Sequence, residues 1–127
     1  MIVVDSSVFV AILQHETEAA ALSRSLALAS ERMMSAATYL ECAMIAEGRF
    51  GGRAVVDTWL TRRDIGIHPV DHALAQRAAD AFARYGKGRH PAGLNFGDCF
   101  SYALAQALGA PLLFKGNDFS RTDIAIA

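Results

Sequence analysis

Scarcity marks this 127-residue chain before any motif does. It has two cysteines, Cys42 and Cys99, and both sit inside helical patterns, not at a metal-ligand spacing. A disulfide or zinc scaffold is excluded, and the pair reads as small buried thiols in a reducing cytoplasm. No apolar stretch approaches the roughly 20 residues of a membrane span. Nothing at the start resembles a signal peptide, because a strand and an acid follow Met1 directly. No repeat, low-complexity tract or linker is found. An excess of charge is missing too: the formal net charge is -1, which predicts no strong non-specific attraction to nucleic acid. Binding a polyanion would need a local basic patch or a bound cation. What is present is 53% hydrophobic and 20% charged residues, the balance of a compact globular protein. The length predicts one domain over 1–127, able to bury a core without staples.

The chain is organised around its first strand and the turn after it. Ile2, Val3 and Val4 are an unbroken β-branched run, the pattern of a strand buried on both faces of a parallel sheet. Asp5 follows at once, and Ser6 and Ser7 are helix-capping residues leading into Val8–Leu13. In order, the patterns predict a helix over Glu16–Ala29, a short strand over Arg32–Met34, and a helix capped by Ser35 that runs through Glu47. A helix over Arg53–Arg63, a strand over Ile65–Pro69 and a helix from the Asp71 cap to about Tyr85 follow. Gly86–Phe96, with three glycines and a proline, reads as a loop. Gly97–Leu108 is a helix closed by Gly109, and Leu112–Phe114 and Ile124–Ile126 are strands. Strands alternating with helices predict a three-layer α/β/α sandwich with a central, mainly parallel sheet.

Four carboxylates fall at suggestive places in that frame. Asp5 ends the first strand, where open α/β sheets bind ligands; alone it would equally be a helix cap. Glu41 lies in the stripe Ala37, Leu40, Glu41, Met44, Ile45 and Gly48, in which every other member is apolar or small. A charge among core residues is costly unless it is paired or holds a metal; a buried ion pair, or a stripe edge that reaches solvent, would also account for it. Asp98 opens the last long helix, where an acid is usually a cap. Asp118 follows the strand Leu112–Phe114 and Gly116, a position otherwise typical of a surface turn. Gathered in one crevice, such carboxylates repel: two unit charges about 4 Å apart cost roughly 4 kcal/mol at an effective dielectric of 20. Either some are protonated or a divalent cation is bound. Hard oxygen donors favour Mg²⁺ or Mn²⁺ over zinc, and such a site suits phosphoryl chemistry.

The residues resemble a family over nearly the whole chain. The stretches are Ile-Val-Val-Asp-Ser-Ser at the start, Thr-Tyr-Leu-Glu around Glu41, the long block Arg-Tyr-Gly-Lys-Gly-Arg-His-Pro-Ala-Gly-Leu-Asn-Phe-Gly-Asp-Cys-Phe-Ser-Tyr-Ala-Leu-Ala around Asp98, and Leu-Leu-Phe-Lys-Gly-Asn-Asp-Phe near the end. They resemble the PIN-domain ribonucleases, specifically the VapC toxins of bacterial type II toxin–antitoxin modules. By that resemblance Asp5, Glu41, Asp98 and Asp118 correspond to the family's catalytic acidic quartet, with Asp5 and Asp98 as the direct metal ligands. One departure bears on a second metal: many relatives carry an acid just before the last aspartate, and here Asn117 stands there.

The resemblance implies Mg²⁺-dependent hydrolysis of RNA phosphodiesters, with Mn²⁺ able to substitute. Glu41 would hold or deprotonate the attacking water, and Asp118 would complete the metal's surroundings. Arg84, Lys87, Arg89 and His90 make the loop before Asp98 the most basic stretch, and with Lys115 it is the expected grip on the RNA backbone. Tyr85 beside the glycines would allow base stacking. Two other classes compete. A phospho-acceptor or phosphohydrolase domain would want a second Asp where this chain has Ser7. A catalytically dead binding module would not need all four acids. The expected partners are RNA, a cognate antitoxin inserting a basic side chain among the acids, and a second copy of the chain as a homodimer. The helices Val8–Ala29 and Ala36–Arg63 would offer the antitoxin a groove.

Overall fold

Strand β1 (Ile2–Val4) is wholly buried, and its three residues alternate between the two faces of a four-stranded sheet. The computed structural model describes residues 1–127. After β1 come α1 (Ser6–Leu13), α2 (Ala19–Leu28), β2 (Arg32–Ser35), α3 (Ala36–Arg49), α4 (Arg53–Arg63), β3 (Ile65–His68), α5 (His72–Tyr85), α6 (Phe96–Leu108) and β4 (Leu112–Leu113), then a 3₁₀ turn at Phe119–Arg121. The sheet order is β3-β2-β1-β4 and every pairing is parallel. Ile2, Val4 and Leu113 pack with Phe9, Leu26, Met34 and Trp59 on one face. Val3 and Leu112 pack with Leu74, Tyr85, Tyr102 and Leu104 on the other. Period-two alternation thus splits one strand's side chains between two cores. The three-layer α/β/α arrangement is the expected one, with α1–α4 serving one core and α5 and α6 the other. Cys42 and Cys99 are both buried and free, and no helix is long and apolar enough to cross a membrane.

The helix boundaries follow local chemistry. Ser35 accepts from the Thr38 N–H at 3.0 Å, and Asp71 accepts from the Leu74 N–H at 2.8 Å, as the capping pattern predicts. Gly51 and Gly52 have φ of +94° and +117°, so the turn from α3 to α4 needs residues without a Cβ. Three expectations fail. Ser6 and Ser7 belong to α1, and Asp5 is its cap, accepting from the Ser7 N–H at 3.1 Å. The second helix starts at Ala19, not Glu16: Thr17 and Glu18 form a turn in which the Ala19 N–H donates to the Glu16 carbonyl at 3.0 Å, and the Glu16 and Glu18 side chains pair with Lys115 at 2.8 and 3.5 Å. Ile124–Ile126 is no strand: one parallel bridge, Leu112 to Ile126, is all that joins it to the sheet.

The largest correction concerns α3. Its inward face is Thr38, Cys42 and Ala46, whereas Leu40 and Met44 are 58% and 68% exposed. The stripe through Glu41 is not the core face. It is an apolar surface beside the site, with Glu41 on the edge between surface and interior.

Candidate active site

In the order β3-β2-β1-β4 the chain leaves β1 for β2 on one side and receives β4 on the other. The crevice at the carboxyl end of β1 is therefore the switch point at which open parallel sheets place ligands. Asp5 lies there, 4% exposed. Its Oδ2 accepts from the Ser7 N–H and its Oδ1 accepts from the Ser101 hydroxyl at 2.6 Å. The helix cap and the site acid are the same residue, so those two readings of Asp5 do not exclude each other.

Asp98 reaches the crevice from the first turn of α6. Asn95 caps that helix by accepting from the Asp98 N–H at 2.9 Å, and the Asp98 carboxylate accepts from the Asn95 N–H at 3.0 Å. This reciprocal box satisfies two N–H groups and fixes the carboxylate. Burial pushes the Asp98 carboxyl up to about 7; the Asn95 N–H opposes the shift, and the charges of Asp5, Asp118 and Glu41 add to it. The charges of the other three acids thus all reach Asp98.

Glu41 comes from the second turn of α3. Its carboxyl is also raised, mainly by burial; the nearby Ser6 hydroxyl offsets a part, and the charge of Asp5 adds to the rise. Glu41 Oε1 is buried without any hydrogen-bond partner. The carboxylate lies against α6 at Gly97, where a Cβ would stand 2.8 Å from Glu41 Cδ and 2.9 Å from Oε1. Only a residue without a side chain leaves that space. Asp118 is exposed and precedes the 3₁₀ turn at Phe119–Arg121.

The donor set fits a hard divalent cation. Acids in mutual repulsion, one carboxyl raised to about 7 and one buried oxygen left unpaired are what a cation would relieve. No three acidic, histidine or cysteine side chains are spaced to enclose an ion by themselves. Asp5 and Asp98 could hold one that keeps most of its waters, the habit of Mg²⁺.

The basic loop is more ordered than its glycines suggest. Lys87 N–H and Leu94 N–H bond across it to Leu94 and Tyr85 carbonyls, and Ala92 and Leu94 are buried. Lys87 and Arg89 are exposed and enter no ion pair, whereas Arg84 pairs with Asp123 at 3.3 Å. His90 Nδ1 accepts from the Ala92 N–H at 3.0 Å, and its ring stands edge-on to Tyr85. Tyr85 is 5% exposed, packed against Tyr102 and His90, so it offers no face to a base; that expectation is corrected. Lys115 is occupied by Glu16 and Glu18, while its N–H donates to Ser7 Oγ at 2.9 Å, tying the Asp118 segment to α1.

Sequence reasoning finds Ser35 only as a helix cap and assigns no site role to Ser101, Thr38 or Gly97. Ser101 was discoverable as a hydroxyl one turn after Asp98 on a helix whose inward face is otherwise apolar. Gly97 carried no signal, because its neighbour Glu41 is contributed by another helix.

Comparison with known proteins agrees with this architecture. The PIN domain family matches over residues 2–125. A Ribonuclease VapC of Mycolicibacterium smegmatis is 51% identical over 125 residues, covering 97% of each chain. Ribonuclease VapC30 of Mycobacterium tuberculosis is 48% identical over 97% of this chain and 95% of its own. Among solved structures, Mycobacterium tuberculosis VapC20, described as a sarcin-ricin loop cleaving toxin, superposes with a TM-score of 0.79 at 21% identity, over 100% of this chain and 98% of its own. A toxin–antitoxin complex from Klebsiella pneumoniae gives 0.77 at 16% identity, over 100% and 97%. At those identities the superpositions bear on the fold; the sequence matches bear on kinship. The chain belongs to the PIN-domain family and, within it, to the VapC ribonucleases.

Proposed function

We propose that the chain is a Mg²⁺-dependent endoribonuclease whose cleaving site is the crevice of Asp5, Glu41, Asp98 and Asp118, and that it is the toxin half of a toxin–antitoxin pair. The carrying observation is the acid cluster at the end of β1, where Asp98 is raised to about 7 and Glu41 Oε1 has no partner. Asp5 and Asp98 are the residues that would hold the ion. When bound, Mg²⁺ supplies charge to the phosphoryl oxygens and a site for the attacking water. Glu41, the acid that α3 brings to the crevice beside Gly97, is the group for the removal of the water's proton. Asp118 is exposed and free to turn toward the ion or its waters. Lys87 and Arg89, exposed and unpaired, are the groups for the phosphate backbone. Lys115 would join them only by leaving Glu16 and Glu18.

Two partners follow from the same surface. A crowd of acids is a receptor for an inserted arginine, which supports an antitoxin that blocks the crevice. Solved structural neighbours include a VapBC2 complex from Rickettsia felis and VapBC-1 from Haemophilus influenzae. The apolar strip of Leu40, Met44, Phe96 and Phe82 supports a homodimer, since Phe96 alone is 80% exposed. The deciding experiment compares the parent with Asp5→Asn. Asn keeps the helix cap, so the variant should fold as well as the parent while losing RNA cleavage and the Mg²⁺-dependent rise in Tm. Near-parental cleavage by Asp5→Asn in Mg²⁺ would remove Asp5 from the site.

A further inference from the structure

A string of buried hydroxyls ends on Asp5. The Thr38 N–H donates to Ser35 Oγ at 3.0 Å, and the Ser35 hydroxyl donates to Thr38 Oγ1 at 3.0 Å. Thr38 Oγ1 lies 3.3 Å from Ser101 Oγ, and the Ser101 hydroxyl donates to Asp5 Oδ1 at 2.6 Å. Ser35, Thr38 and Ser101 are each 1% exposed. The string joins the start of α3 to α6, and α6 to the end of β1, across sequence separations of 63 and 96 residues.

Its direction is fixed by elementary counting. A hydroxyl has one hydrogen to give, and an ionised carboxylate has none. The Ser101 hydrogen is committed to Asp5, so Ser101 Oγ can only accept from Thr38. The Thr38 hydrogen is then committed to Ser101, and Thr38 Oγ1 accepts from Ser35. Ser35 in turn accepts from the Thr38 N–H, which closes the sequence with no orphaned group. Every hydroxyl hydrogen points toward Asp5.

The geometry points to Ser101, backed by Thr38, as the positioning residue for Asp5. With Oδ1 held by Ser101 and Oδ2 by the Ser7 N–H, the carboxylate cannot rotate, and each oxygen keeps a lone pair for a cation. This inference rests on the reading of Asp5 as a metal ligand. It adds that Ser101 of α6 and Thr38 of α3 set how well Asp5 binds the ion without touching the ion themselves.

The test measures Mg²⁺ binding by calorimetry on the full chain, beside single-turnover cleavage of RNA, for Ser101→Ala, Thr38→Val and Thr38→Ser. Ser101→Ala should bind Mg²⁺ roughly 10- to 100-fold more weakly and lose cleavage rate at saturating RNA with KM unchanged. Thr38→Val should move both in the same direction by less, and Thr38→Ser, which keeps the hydroxyl, should match the parent. Combining Ser101→Ala with Thr38→Val should be no worse than Ser101→Ala alone, because the groups act in series. A Ser101→Ala protein that melts lower yet keeps parental Mg²⁺ affinity and cleavage would overturn the positioning role alone. Should that variant fail to fold, parental Mg²⁺ affinity in Thr38→Val would overturn it equally. Undiminished Mg²⁺ binding by Asp5→Asn would instead bring down the metal reading, and the positioning role with it.

Discussion

Gly97→Ala is a sharp perturbation of the site because its effects on stability and on activity should part company. Gly97 is the second residue of α6 and its φ is not positive, so alanine fits the backbone. In a helix interior, Gly to Ala gains up to about 1 kcal/mol. Against this stands the overlap of the new Cβ with the Glu41 carboxylate, 2.8 Å from Cδ. That carboxylate is the far end of a flexible side chain, and displacing it to a poorer rotamer costs about 0.5–1.5 kcal/mol. The two effects nearly cancel, so Tm in EDTA should stay within roughly 5 °C of the parent. Cleavage should not survive as well. Moving a proton-accepting carboxylate by about an ångström can cost about 100-fold, and losing a general base costs about 100- to 10,000-fold. The assay is thermal melting without metal, paired with single-turnover cleavage in saturating Mg²⁺. Cleavage within threefold of the parent would refute the idea that Gly97 exists to seat Glu41. A Tm drop of well over 5 °C would refute it as well, by showing that the glycine serves packing.

Three further outcomes are expected. Asp98 is raised to about 7, chiefly by burial, so the folded state binds more protons than the unfolded chain between about pH 4 and 7. Metal-free stability should fall as pH rises through that window, and melting in EDTA should show a steeper fall in the parent than in Asp98→Asn, which keeps only the share of the raised Glu41 carboxyl; the same pH dependence in both would refute it. Removing Lys87 and Arg89 together should raise KM for RNA and lower the slope of log binding against log salt by roughly one per contact, leaving the rate at saturation unchanged; an unaltered slope counts against their role. Leu40→Lys with Met44→Lys should yield a monomer at micromolar concentration by sedimentation where the parent is a dimer, and a parent that is already monomeric would refute the assignment of that face.

The places where the sequence was legible share a cause. α4 over Arg53–Arg63 and α5 from the Asp71 cap to Tyr85 have the predicted limits, because both begin with residues whose backbone or capping demands are local. β1 was legible because a strand buried on two faces must be apolar throughout. α3 was misread since apolar spacing reports which residues avoid water, without saying whether the cover is the chain's own core or another molecule. Leu40 and Met44 share a face that is exposed here, while Thr38, a polar residue, points inward. Ser101 escaped notice for the complementary reason: its partner is 96 residues away, and nothing near it in sequence records the bond. Asp5 and Asp98 were each weighed as caps against site acids. The structure has both residues in hydrogen bonds at helix starts and both in the crevice, so those alternatives were never opposed.

The 96 residues that separate Asp5 from Ser101 also set a clock. At ribosomal rates of roughly 5–20 residues per second, Asp5 emerges several seconds before the residue that holds it, and later still comes β4, which closes the other side of β1. Until α6 has been made, the nascent chain has neither Asp98 nor that wall of the crevice. The toxin therefore cannot be armed piecemeal on the ribosome that is making it. Its chemistry becomes possible only once α6 has followed β1 off the ribosome, bringing Asp98 and Ser101 to Asp5 together.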